Sequence, residues 1–284
     1  MNGYFKGFYF KQQNKENTTA LIPSYHIGVN GIRTAQIQVV TEQGAAAAEY
    51  PNYKEDQRKQ YLKIGNSFFS SRKIVLDIHT NQLDATGKLY FDNLVAPGYD
   101  IMGPFRFVPF LECRHSVISM LHRVSGELLV NGCAYHYQNS AGYIEGDRGR
   151  NFPSEYLWTQ CCWHDGKTNS LMLSAADIPF GGFHFTGIIG LLYWHGRQYR
   201  LATYLGAKAE IQNQSVRIRQ GDYVFTAQLL HSRPLALQAP KGGVMARSID
   251  ESPACTAAYR FEKNGRKIFE FMSTHASFEY EYHQ

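Results

Sequence analysis

Turns constrain this chain more than any other feature. Asn30-Gly31, Asn131-Gly132, Asp165-Gly166 and Asn264-Gly265 each separate two short apolar or alternating runs. An Asn-Gly or Asp-Gly pair accepts the positive φ values of a tight two-residue hairpin, so each pair joins two antiparallel strands. The intervening runs have the period of a sheet. Ile74, Leu76 and Ile78 alternate with Val75, Asp77 and His79, and Tyr223, Phe225, Ala227 and Leu229 alternate with Val224, Thr226 and Gln228. No βαβ rhythm appears. Roughly eight short strands are expected on each side of the centre, linked mainly by hairpins. An all-β chain of this kind removes its sheet edges by closing into one or two up-and-down antiparallel barrels.

Three segments do not follow the pattern. Gly44 to Gln60 opens with the helix-prone run Ala45 to Ala48 and is cut by Pro51, so it reads as a loop with a helical turn. Leu237 to Met245 reads as a Pro/Gly-rich loop. A third loop, from Ala96 to Phe110, carries Ile101, Met102, Phe105, Phe107, Val108 and Phe110. A loop that apolar either closes a core or walls an apolar pocket.

Composition narrows the class. The 284 residues include 19 tyrosines and 18 phenylalanines, which favours sheet, and only 19% are charged, which excludes disorder. The net charge of +5 is spread along the chain without a basic run, so nucleic acid is not an expected partner. The five cysteines, Cys113, Cys133, Cys161, Cys162 and Cys255, have no disulfide-framework spacing. The start, Met1-Asn2-Gly3-Tyr4-Phe5-Lys6, lacks the form of a signal peptide, and no apolar run reaches the roughly 20 residues of a membrane span. A reduced, cytoplasmic protein is expected.

The common phosphate-binding, dinucleotide-binding and serine-hydrolase motifs are absent. Cys161-Cys162-Trp163-His164 would place Cys162 and His164 on one face of a strand, but two ligands do not make a zinc site, and no metal is expected.

The most distinctive stretch is Gly142 to Cys161, which concentrates acids, arginines, aromatics and glycines between two β regions. On an extended backbone Glu145 and Asp147 point the same way, where each would raise the other's pKa and keep one carboxyl protonated. Gly146 and Gly149 admit a bulge that would change this facing. Tyr143, Phe152, Trp158 and Trp163 offer aromatic walls, and Arg148 and Arg150 could hold an oxygen or orient the acids. An alternative is a structural network pairing the two acids with the two arginines.

Gly142-Tyr143-Ile144-Glu145, Gly149, Phe152-Pro153, Trp158 and Gln160-Cys161 together resemble the tocopherol cyclase family. Gly3-Tyr4-Phe5-Lys6-Gly7, Ile101-Met102-Gly103-Pro104-Phe105 and Leu237-Gln238-Ala239-Pro240 extend the likeness along the chain. A more distant likeness joins the family to carotenoid 1,2-hydratase-like proteins. The resemblance implies two tandem lipocalin-like antiparallel β-barrels, placed here at residues 1–141 and 142–284 with the motif 142–161 near the junction. It also implies a chemistry: a carboxylic acid protonates the alkene of a prenylated quinol or other isoprenoid, and an oxygen adds to the cation, closing a chromanol ring or hydrating the alkene. No cofactor or metal is implied. Glu145 and Asp147 are the catalytic candidates. Tyr143, Arg148, Phe152, Trp158, Trp163 and His184 are the substrate-binding candidates, although Arg148 stands where the family pattern has tryptophan. The implied partner is a lipophilic small molecule, with peripheral membrane contact left open. Two alternatives remain: a non-catalytic carrier of a hydrophobic ligand, and an interaction protein that has lost its pocket.

Overall fold

A computed structural model describes residues 3–109, 111–180 and 182–282. They form two antiparallel sheets with no α-helix among the described residues, and no helix is long and apolar enough to cross a membrane.

The first sheet contains β1 (Tyr4–Gln13), β2 (Thr18–Ile27), β3 (Arg33–Thr41), β4 (Gly44–Tyr50), β5 (Tyr53–Asp56), β6 (Tyr61–Ile64), β7 (Ser67–Ser70), β8 (Lys73–His79), β9 (Asp84–Val95), β10 (Cys113–Val130) and β11 (Cys133–Gly149). Nearly every strand pairs with its neighbours in sequence, and β11 pairs back onto β1. The ladder breaks only between β4 and β5, which the chain itself connects. This is the up-and-down barrel order expected from the turns.

The second sheet repeats the plan with β12 (Tyr156–His164), β13 (Thr168–Phe180), β14 (Phe183–Trp194), β15 (Arg197–Ala202), β16 (Lys208–Gln212), β17 (Ser215–Gln220), β18 (Tyr223–His231), β19 (Leu235–Lys241), β20 (Val244–Lys263) and β21 (Arg266–Tyr280). Here β21 pairs back onto β12, the ladder breaks between β15 and β16, and β19 is a side branch on β20. Among the described residues the strands are eleven and ten, more than the sequence pattern suggested, because several connections are themselves strands.

Each sheet encloses its own apolar core. Phe10, Leu21, Ile37, Phe69, Leu89 and Ile144 belong to the first, and Leu157, Leu173, Phe225, Tyr259, Phe261 and Phe278 to the second. The turn chemistry is as expected at Asn131-Gly132, with φ of 48° and 82°, and at Asn264-Gly265, with 50° and 71°; at Asn30-Gly31 and Asp165-Gly166 only the glycine has positive φ and the connections are longer than two residues.

The alanine run is strand β4, not a loop with a helical turn. Its residues pair with β3, Ala45 opposite Val40 and Ala48 opposite Ile37, so a tertiary ladder overrides local helix preference. The Leu237–Met245 loop is also mostly strand. It forms a hairpin of β19 and the start of β20, and Leu237–Ser248 belongs to the first compact unit. Gln238 secures it there. The Gln36 amide donates to Gln238 Oε1 at 2.8 Å, and Gln38 exchanges two hydrogen bonds with the Gln238 backbone at 2.9 and 3.0 Å. The turn of this hairpin presses on Gly3, where a Cβ would lie 1.8 Å from the Gly242 carbonyl oxygen, so only glycine fits.

The apolar loop is split: its start through Asp100 belongs to the first unit, and its apolar part belongs to the second, within Ile101–Leu111. It contains a 3-10 turn at Gly103–Phe107. Ile101 is buried, Phe105 stacks on Phe185 at 5.5 Å, and Phe107 is exposed. Phe110 lies outside the described residues.

The boundary placed at 141/142 falls inside β11, a single strand of the first barrel. The first unit is Met1–Asp100, Glu112–Phe152 and Leu237–Ser248, and the second is Ile101–Leu111, Pro153–Ala236 and Ile249–Gln284. Sequence position could not reveal this exchange of segments, because it depends on which distant strands pair.

Candidate active site

Strand β11 pairs with β1 without a break through the motif. Ile144 points into the first barrel's core, so Tyr143, Glu145 and Asp147 lie together on the opposite face. Tyr143 and Glu145 are buried, and Asp147 is partly so. Gly146 introduces no bulge on the β1 side, where Tyr9, Gly7 and Lys11 stand opposite Glu145, Asp147 and Tyr143. With glycine at position 7, no side chain competes for space beside Asp147.

The decisive neighbour comes from β10. His115 is directly opposite Asp147 in register, and Val117 is opposite Glu145. The His115 ring therefore stands between the two acids. Its Nδ1 lies 2.8 Å from Asp147 Oδ1, and its Nε2 lies 3.2 Å from Glu145 Oε2. The first contact is a hydrogen bond. The second is an ion contact without hydrogen-bond alignment, and Nε2 is enclosed without an aligned partner. The Tyr143 hydroxyl donates to the same Glu145 Oε2 at 2.6 Å. The Cys113 thiol donates to Asp147 Oδ1 at 3.5 Å.

Burial alone would push the His115 pKa down, but the charges of Asp147 and Glu145 and the hydrogen bond with Asp147 outweigh it and hold the pKa well above the usual imidazole value. The group that binds a proton firmly near neutrality is thus an imidazolium between carboxylates. The Cys113 thiol pKa is raised as well, by desolvation and then by Asp147, so the thiol stays protonated.

Donor atoms of His115, Glu145 and Asp147 all lie within 4.8 Å of one another, so these three could also supply ligands to a divalent cation. Cys161 and Cys162, considered as metal ligands from sequence, are buried core thiols, and His164 is exposed.

The remaining candidates divide between the units. Arg148 is exposed on the face of β11 opposite the acids, where its charge acts on Tyr4. Phe152 packs edge-on against Phe5 at 5.6 Å. Trp158, Trp163 and His184 belong to the second unit. Trp158 is buried on β12, and Trp163 stacks on Phe271 at 4.2 Å within the second core. His184 is exposed and bonds Asp177 at 2.5 Å. Of the sequence candidates, the structure thus brings Tyr143, Glu145 and Asp147 into one cluster. His115 was missed as a functional residue. It is 32 residues from Asp147, at the start of a strand, and β10 shifts register against β11 in three places, so no spacing rule could pair them.

Two lipocalin-like antiparallel barrels in one chain, with a buried His–carboxylate cluster on the first, define the architecture. No protein-family model and no curated protein sequence matches the chain. Solved structures match it nearly end to end. CghA has 11% identity and a TM-score of 0.60, covering 99% of this chain and 90% of its own. A protein described as an AttH, from Nitrosomonas europaea, has 11% identity and a TM-score of 0.57, covering 100% and 94%. Kievitone hydratase from Nectria haematococca has 10% identity, covers 98% and 89%, and overlaps too loosely for inference, at a TM-score of 0.46. At such identities the likeness establishes the fold.

Proposed function

We propose that the protein is an acid–base enzyme that adds an oxygen across a carbon–carbon double bond of a lipophilic small molecule. One observation carries this reading: His115 is held between Glu145 and Asp147, largely buried, with Nε2 near Glu145 but not aligned to it. An imidazolium so placed delivers a proton either directly from Nε2 or through Glu145. Transfer from His115 to Glu145 converts a buried ion pair to a neutral pair, which a desolvated site tolerates well. Asp147 holds the ring through Nδ1, and Tyr143 orients Glu145.

The proton adds to the less substituted alkene carbon and leaves a tertiary cation. A hydroxyl of the same molecule then attacks and closes a ring, or water attacks and gives an alcohol. The oxygen's proton returns to the cluster, so no redox cofactor enters the balance. A prenylated quinol closing to a chromanol is the specific reaction we assign, supported by the motif resemblance around Tyr143-Ile144-Glu145. Alkene hydration on another isoprenoid uses the same cluster. Arg148, facing away from the acids, does not oppose a forming cation there.

The test is incubation with a prenylated quinol in detergent, followed by chromatography and mass spectrometry. Ring-closed or hydrated product is expected from the wild type, with losses of about 10²–10⁴-fold in His115→Gln and Glu145→Gln. Product formation that survives both substitutions removes the cluster from the chemistry. Recovery of bound, unchanged lipid without turnover supports the carrier reading instead.

A further inference from the structure

The second barrel carries a feature that the proposed chemistry does not use. At the end bearing the β14–β15 and β20–β21 turns lies an open cavity of about 1200 Å³. Its apolar side is aromatic. Trp194, Tyr199 and Tyr223 line it, and both tyrosines continue into the core through Phe261, at 5.2 and 5.5 Å between ring centres. Its rim is cationic. Arg197 comes from one turn, and Lys263 and Arg266 flank the other.

These charges are arranged at a cost. Lys263 and Arg266 are directly opposite on β20 and β21, and like charges in that relation repel. Neighbouring acids are committed elsewhere. Arg260 takes Glu262, Lys267 and Arg260 share Glu270, and the Asn264 amide reaches Asp222 at 3.0 Å. Lys263 instead sits over the Tyr223 ring, 5.3 Å from its centre. No carboxylate is within ion-pair distance of Arg197, Lys263 or Arg266 among the described residues. A hairpin that keeps an uncompensated like-charge pair above an aromatic floor is suited to an anion that neutralises it.

We propose that this mouth binds a small amphipathic oxyanion, its head group on Arg197, Lys263 and Arg266 and its apolar body on Tyr199, Tyr223 and Trp194. The volume suits a ligand of ordinary metabolite or drug size. The site is separate from the His115 cluster and stands or falls independently of it.

Calorimetric titration of the full chain with decanoate, decyl phosphate and the neutral analogue decanol tests this. Decanoate or decyl phosphate is expected to bind one to one, with affinity falling as salt rises, and decanol to bind much more weakly. The two anions together distinguish a carboxylate from a phosphate preference. The double variant Lys263→Gln/Arg266→Gln should weaken anion binding at least tenfold and melt close to the wild type, because it removes a repulsion together with the Lys263–Tyr223 contact. Arg197→Gln, on the other turn, should weaken binding without touching that pair. The proposal is overturned if neither anion binds, if binding is unchanged in both variants, or if these cations matter only for sedimentation with anionic phosphatidylglycerol vesicles.

Discussion

Replacing His115 with glutamine tests the central cluster most directly. Glutamine keeps polar contact but removes the cation between two carboxylates. The side chains of Glu145, His115 and Asp147 are 6%, 13% and 20% exposed. Removing one partner of a fully buried pair costs ~3–5 kcal/mol, and solvent at Asp147 moves the expectation to about 3 kcal/mol. At ~2–4 °C per kcal/mol for a unit of this size, the first unit's melting temperature falls by about 6–12 °C. All three tryptophans, Trp158, Trp163 and Trp194, lie in the second unit. Their fluorescence therefore follows the second barrel, while hydrogen exchange read by mass spectrometry on peptides of β1, β10 and β11 follows the first.

The pH dependence has a definite sign. His115 has a raised pKa in the folded state, so its contribution is complete below the unfolded value of about 6.5 and is lost as pH rises through the folded value. The deficit of His115→Gln is therefore largest near pH 6 and narrows at alkaline pH. A variant melting within about 1 °C of wild type at pH 6 would refute the ion-pair reasoning. A deficit that does not change with pH would assign the loss to packing alone.

Three further outcomes follow from the first sheet. Tyr143→Phe leaves the buried ring in place but removes the 2.6 Å bond to Glu145, and urea denaturation should show a loss of about 1.5–3 kcal/mol. Gly142→Ala should lower stability by ~1–3 kcal/mol, because a Cβ there would lie 2.3 Å from His122 Nε2 and 2.6 Å from Val124 Cγ2; a variant as stable as wild type in the same assay would show that the pocket relaxes freely. His26 and His122 are pushed down by burial to about 4 and about 3, so each costs stability as pH falls from about 6.5 toward those values. Thermal melts of His26→Gln/His122→Gln should accordingly show a shallower decline between pH 6.5 and 4 than wild type, and an unchanged slope would assign acid sensitivity to other groups.

The sequence by itself determined whatever depends on residues close together in the chain. Asn-Gly and Asp-Gly pairs placed hairpins, and the period of two placed Glu145 and Asp147 on a common face of one extended segment. Both are backbone properties that operate over a few residues, and both appear in the structure as read. Only the tertiary structure decided which strands meet. It made the alanine run a strand by pairing it with β3, and it gave Leu237–Ser248 to the first unit through Gln238. Across a register broken by irregularities in β10, it set His115 between the acids. Ladder register comes from packing and pairing between distant segments, and a one-residue slip would turn His115 to the other face of the sheet.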